Sequence, residues 1–66
     1  MRTNIVALRK PMKVTQSELA DSVGVTRQTI VSIENERYIA SLPLAYKIAK
    51  FFGKTIEEVF IFEEEK

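Results

Sequence analysis

Sixty-six residues with a 45% hydrophobic share describe one small domain with a real core. Chains of this size bury only ~60% of their unfolded surface, so stability is narrow unless packing is good or a partner helps. The chain contains no cysteine and no histidine, which removes disulfides, thiolate metal sites, the commonest metal ligand and the usual general base. No cofactor and no metal are expected, and an enzyme is the weakest reading.

Net charge is only +1, too little to point to nucleic acid by itself. Its distribution is uneven: residues 1–37 carry six basic and four acidic side chains, residues 38–66 four and five. No apolar run is long enough to span a bilayer, and Met1-Arg2-Thr3-Asn4 lacks the apolar core of a signal peptide, so a cytoplasmic protein is expected.

Residues 4–10 predict a first helix, with Ile5 and Leu8 three apart, Asn4 or Thr3 as cap, and Arg9 and Lys10 at the carboxyl end that favours cations. Pro11 predicts a shortened or kinked end, followed by a loop Pro11–Val14.

Thr15 and Glu18 form a capping-box pattern, and Leu19, Ala20 and Val23 recur at helical spacing before Gly24. Thr26 then caps another helix. Residues 15–35 thus read as helix, glycine turn and helix, the unit whose second helix enters a DNA major groove. On that helix Ile30 and Ile33 lie roughly 60° apart at about 100° per residue and mark the buried side. Gln28, Val31 and Ser32 fall opposite, with Arg27 and Thr29 on the flanks. Arg and Gln are the side chains that bond two groups on one base edge, guanine for Arg and adenine for Gln. The plain alternative is an ordinary polar surface helix; the capped helix–glycine–helix frame argues against it.

This stretch resembles the phage-repressor (Cro/Xre-like) helix-turn-helix family, with its pattern T-Q-x-E-L-A-x-x-x-G-V-[ST]-x-x-x-I-x-x-I-E-N. The matches are Thr15, Gln16, Glu18, Leu19, Ala20, Gly24, Val25, Thr26, Ile30, Ile33, Glu34 and Asn35. Similarity continues through Ser41-Leu42, Leu44, Lys47-Ile48-Ala49-Lys50, Phe52-Gly53 and Ile56-Glu57-Glu58-Val59-Phe60. The resemblance implies an all-α, five-helix, lambda-repressor-like domain over the whole of residues 1–66. It also implies a salt bridge between Arg9 and Glu34 beneath the recognition helix, and a Gln16 that contacts the DNA backbone and braces that helix. Glu36 stands where the family usually has glycine, so a positive φ there would carry strain of about 1 kcal/mol.

Ser41 caps a fourth helix with Pro43 in its first turn. Its apolar stripe is Leu44, Ala45, Ile48, Ala49 and Phe52; Lys47 and Lys50 face water, and Gly53 ends it. Thr55 and Glu58 make a second capping box over Ile56, Val59 and Phe60. Val59, Phe60, Ile61 and Phe62 exceed what a short helix can turn inward, so residues 56–62 are expected to form a dimer interface, either as a helix end or as an edge strand paired with its own copy. The acidic tail Glu63-Glu64-Glu65-Lys66 should lie away from DNA.

The expected function is a sequence-specific regulator of transcription, most simply a repressor, that binds double-stranded DNA as a homodimer on an inverted repeat. Arg27, Gln28, Thr29 and Ser32 are the expected base contacts, with Val31 against a thymine methyl. Thr15, Gln16, Thr26, Asn35 and Arg37 would hold the backbone. The alternatives are an antitoxin-type autorepressor and a helical protein–protein module without DNA binding.

Overall fold

The computed structural model describes residues 2–62; the acidic tail lies outside them. The elements in chain order are β1 (Arg2–Thr3), α1 (Ile5–Met12), α2 (Gln16–Val23), α3 (Arg27–Glu34), α4 (Leu42–Phe52), α5 (Ile56–Val59) and β2 (Phe60–Ile61). The five expected helices are present. The addition is a two-residue antiparallel ladder closing the chain on itself, with Arg2 opposite Ile61 and Thr3 opposite Phe60.

Each helix supplies its apolar stripe to one core. Ile5, Leu19, Ile30, Ile33, Ile48, Val59 and Phe60 are its largest side chains out of solvent. Burying a side chain of this kind stabilises by about 1.5–3 kcal/mol, so five short helices of low individual stability hold together through shared packing. Among the described residues no buried side-chain polar atom lacks a partner.

Two details differ from the sequence expectation. Helix α1 runs through Pro11 to Met12 rather than stopping at Lys10. The cost is one hydrogen bond to the Ala7 carbonyl; Ala7 and Pro11 are both exposed, so water can take that carbonyl. Asn4 occupies the cap position of α1 but makes no side-chain cap bond. Its backbone N–H donates to the Val59 carbonyl at 2.7 Å and its side-chain amide to the Glu58 carbonyl at 3.0 Å. The start of the chain thereby satisfies two of the carbonyls that the four-residue α5 leaves open.

Four of the five helices end in the same way, while α5 runs directly into the extended Phe60. In α1, α2 and α4 the residue after the helix is left-handed: Lys13 (φ 59°), Gly24 (φ 78°) and Gly53 (φ 68°). After α3 that role falls to Glu36 (φ 63°), one residue beyond Asn35. Each reversal is closed by an N–H from the next residue back to the helix's last turn: Val14 to Arg9, Val25 to Ala20, Arg37 to Ser32 and Lys54 to Ala49. This is the Schellman arrangement. Glycine takes the conformation without strain at two of the four ends; lysine and glutamate adopt it at the others against a cost of about 1 kcal/mol.

The second capping box starts the four-residue α5: Thr55 N–H donates to the Glu58 carboxylate at 2.8 Å, and Glu58 N–H to the Thr55 hydroxyl at 3.2 Å. That backbone donor, helped by the Lys54 charge and the Thr55 hydroxyl, outweighs desolvation and holds the Glu58 carboxyl below its ordinary range.

Candidate nucleic-acid interface

The boundaries of helices α2 and α3 are marked by local chemistry. Thr15 accepts from Glu18 N–H at 3.0 Å while the Glu18 carboxylate takes Thr15 N–H at 2.8 Å. A Cβ on Gly24 would meet nothing within 4 Å, so the turn needs glycine for its dihedral and not for space. Thr26 then accepts from Thr29 N–H at 3.3 Å to open α3.

The far end of α3 is held from two sides. Arg9 grips the Glu34 carboxylate through two bonds, Nε to Oε2 at 2.8 Å and Nη2 to Oε1 at 3.2 Å, and donates Nη1 to the Val14 carbonyl at 3.0 Å. Gln16 Nε2 reaches the same Glu34 Oε1 at 2.8 Å. The Arg9 and Glu34 side chains are 13% and 5% exposed, so this fork-on-fork pair is shielded from screening water. Gln16 therefore braces α3 through Glu34.

With Ile30 and Ile33 locked in the core, α3 presents its other side outward. Arg27 and Gln28 are exposed at its first turn; Thr29, Val31 and Ser32 are half-buried. The Thr29 hydroxyl lies 3.1 Å from that of Thr26, which leaves it less free than Gln28 to meet a base. Thr15, Thr26, Asn35 and Arg37 are exposed, and Gln16 is half-buried.

Five of the expected contact residues converge: Thr26, Gln28, Thr29, Ser32 and Arg37 line one cleft of about 330 Å³. Its sixth wall is Tyr38, which the sequence reading passed over. The available signal was an aromatic directly after a cation in the loop that follows a reading helix.

The expected dimer segment is corrected in part. Val59 is 0% and Phe60 2% exposed within the chain's own core, so neither can cover a second copy. The run that looked too apolar for a short helix is absorbed because residue 60 begins a strand: Phe60 turns inward and β2 pairs with the chain's own β1. Ile61 remains half-buried and Phe62 is 59% exposed.

A family profile described as Helix-turn-helix matches residues 5–59. The chain belongs to the Cro/C1-type helix-turn-helix family. An uncharacterized helix-turn-helix-type transcriptional regulator of Archaeoglobus fulgidus is 53% identical over 66 residues, covering 100% of this chain and 93% of the relative. One from Methanocaldococcus jannaschii is 47% identical with both chains covered in full, and one from Bacillus subtilis is 45% identical over 98% of each. Among solved structures, the clp gene regulator ClgR of Corynebacterium glutamicum shares the fold with a TM-score of 0.75 at 22% identity, over 82% of this chain. The hypothetical transcription factor NHTF from Neisseria matches with a TM-score of 0.76 at 25% identity, over 83% of this chain. This helix-turn-helix chain spans 57% and 63% of those two longer chains.

It is a transcriptional regulator with a DNA-binding fold, and family and fold are those of regulators rather than enzymes. Among the described residues no helix is long and apolar enough to cross a membrane.

Proposed function

We propose that this regulator is a repressor that binds an inverted-repeat operator as a homodimer. The observation that carries the reading is the pairing of an exposed Arg27 and Gln28 with a helix that cannot shift beneath them. Ile30 and Ile33 hold α3 on one side and the Arg9–Glu34–Gln16 network holds its end. Rigid presentation of two base-edge readers is what direct readout requires. Arg27 and Gln28 read bases, with Ser32, Thr29 and Val31 beside them; Thr15, Gln16, Thr26, Asn35 and Arg37 fix register on phosphates.

One reading helix meets too few base pairs for useful specificity. Two, about 34 Å apart, meet successive major-groove faces. The exposed Phe62, the half-buried Ile61 and the outer edge of β2 supply a self-complementary contact for that pairing. Repression then follows from occlusion of a promoter.

Selection of bound fragments from a random-sequence duplex pool tests the proposal. The expected product is a palindromic site whose half-sites are one helical turn apart. Recovery of no preferred sequence, or of a single half-site, would refute it.

A further inference from the structure

Helix α4 carries a face that neither the core nor the reading surface uses. Leu42, Tyr46 and Lys50 recur every fourth residue and so share one side of it, and all three are exposed. Leu42 is 71% and Tyr46 56% open to solvent. The Lys50 ammonium stands 5.8 Å from the centre of the Tyr46 ring, within cation–π range.

Between the end of α4 and α5 this face opens into a cleft of about 470 Å³, the size of an ordinary binding cleft. Tyr46, Ala49 and Ile56 give it an apolar lining, and Lys50, Lys54 and Glu57 bring charge to it. On the other side of Lys50 a second depression is lined by Ser22, Lys47, Lys50 and Phe51. None of these residues is among those assigned to DNA. From residue 42 to residue 54 the chain holds Lys47, Lys50 and Lys54 and no acidic side chain. All three lysines are exposed, and among the described residues none of them is in a salt bridge.

A DNA strand and an acidic stretch of protein both complement three open cations. The apolar lining and Glu57 decide between them. The backbone of a DNA strand brings a negative charge at every unit and has no donor for the Glu57 carboxylate. A peptide backbone brings an N–H at each residue, and a peptide can set one large apolar side chain among its carboxylates.

We infer that this cleft docks an acidic segment of a second protein. One large apolar side chain of that segment seats against Tyr46, Ala49 and Ile56, and its carboxylates pair with Lys50 and Lys54. Tyrosine is among the residue types that anchor protein interfaces. The docking residues and the DNA-facing residues are separate sets, so the partner adds to DNA binding and does not compete with it.

The probe is a phage-displayed random peptide library panned on the intact protein at physiological ionic strength. The enriched peptides should share acidic residues next to a Phe, Leu or Trp. The strongest, made synthetically, should lose about 10-fold in affinity with Tyr46→Ala and with Lys50→Ala, the scale of one interface anchor. Arg27→Ala and Gln28→Ala should leave its binding unchanged. Melting temperature should hold in the two cleft variants, because both side chains are exposed. A copy of the peptide with its acids changed to lysine should bind the double variant Lys50→Glu, Lys54→Glu and not wild type, a reversal that a merely structural role would not give.

A consensus without acids, or a peptide indifferent to both Tyr46→Ala and Lys50→Ala, would overturn the inference. So would a double variant whose DNA binding shows a salt slope lower by about 2, which would give these cations to phosphate. Loss of a dimer in that variant by sedimentation would give the cleft to a second copy of the chain and overturn it too. Panning needs no operator, so its outcome is independent of the repressor reading.

Discussion

The Gln16 side-chain amide donates to Glu34 at 2.8 Å, on the same carboxylate that Arg9 holds through two bonds. The first residue of α2 is thereby tied to the last residue of α3, across the turn that defines the motif. Arg9→Ala leaves a nearly buried carboxylate on one neutral donor, and stability should fall by about 3 kcal/mol, as for other broken buried pairs. Arg9→Lys should recover little, because an ammonium cannot fork onto both oxygens. Thermal unfolding reads both; a loss near zero for Arg9→Ala would show that the pair holds nothing.

Glu36 and Lys13 stand left-handed where glycine would be unstrained. Glu36→Gly and Lys13→Gly should each raise stability by roughly 0.5–1 kcal/mol, a few degrees in melting temperature. Asn35→Gly serves as the control: its φ is −84°, so glycine there should destabilise. If all three changes move stability the same way, backbone strain is not the cause.

Reading and positioning should separate in binding. Arg27→Ala or Gln28→Ala should cost about 1–3 kcal/mol on the best site and relax preference at one base pair. Arg37→Ala should weaken all sequences alike and lower the salt slope by about 1. An unchanged selected sequence with Gln28→Ala would mean that the exposed face of α3 has been assigned wrongly.

Acid should loosen α5. The Thr55 backbone N–H, more than the Lys54 charge or the Thr55 hydroxyl, depresses the Glu58 carboxyl in the folded state. A depressed carboxylate contributes stability that is complete above its unfolded value and is lost as pH falls through the folded one. The loss therefore belongs below the ordinary glutamate range, with neutral pH unaffected. Glu58→Gln should flatten that acid limb in a pH series of denaturant melts; an unaltered limb would assign it to other carboxylates.

Phe60 and Phe62 are two residues apart and should behave oppositely. Phe60→Asp places a charge at a site only 2% exposed and should unfold the domain. Phe62→Asp should leave the fold intact and give a monomer by sedimentation, with specific binding lost. A Phe62→Asp protein that still sediments as a dimer would move the interface elsewhere.

What the sequence determined by itself was everything written in short-range rules. Thr15 with Glu18, Gly24, Thr26, Ser41, Gly53 and Thr55 with Glu58 mark helix boundaries through hydrogen bonds spanning a few residues, and the spacing of Ile30 and Ile33 tells which side of α3 is buried. Arg27 and Gln28 could be picked out because exposure follows from that periodicity. Only the tertiary structure decided where the ends of the chain go. Val59 and Phe60 looked like surplus because local pattern cannot say that Arg2-Thr3, nearly the whole chain away, pairs with Phe60-Ile61 and turns Phe60 into the core. Asn4 looked like a cap for α1, yet α5's carbonyls compete for it from 54 residues away. Tyr38 was invisible for the same reason: a loop residue's neighbours are set by how the chain reverses at Glu36, and that is a property of the folded backbone.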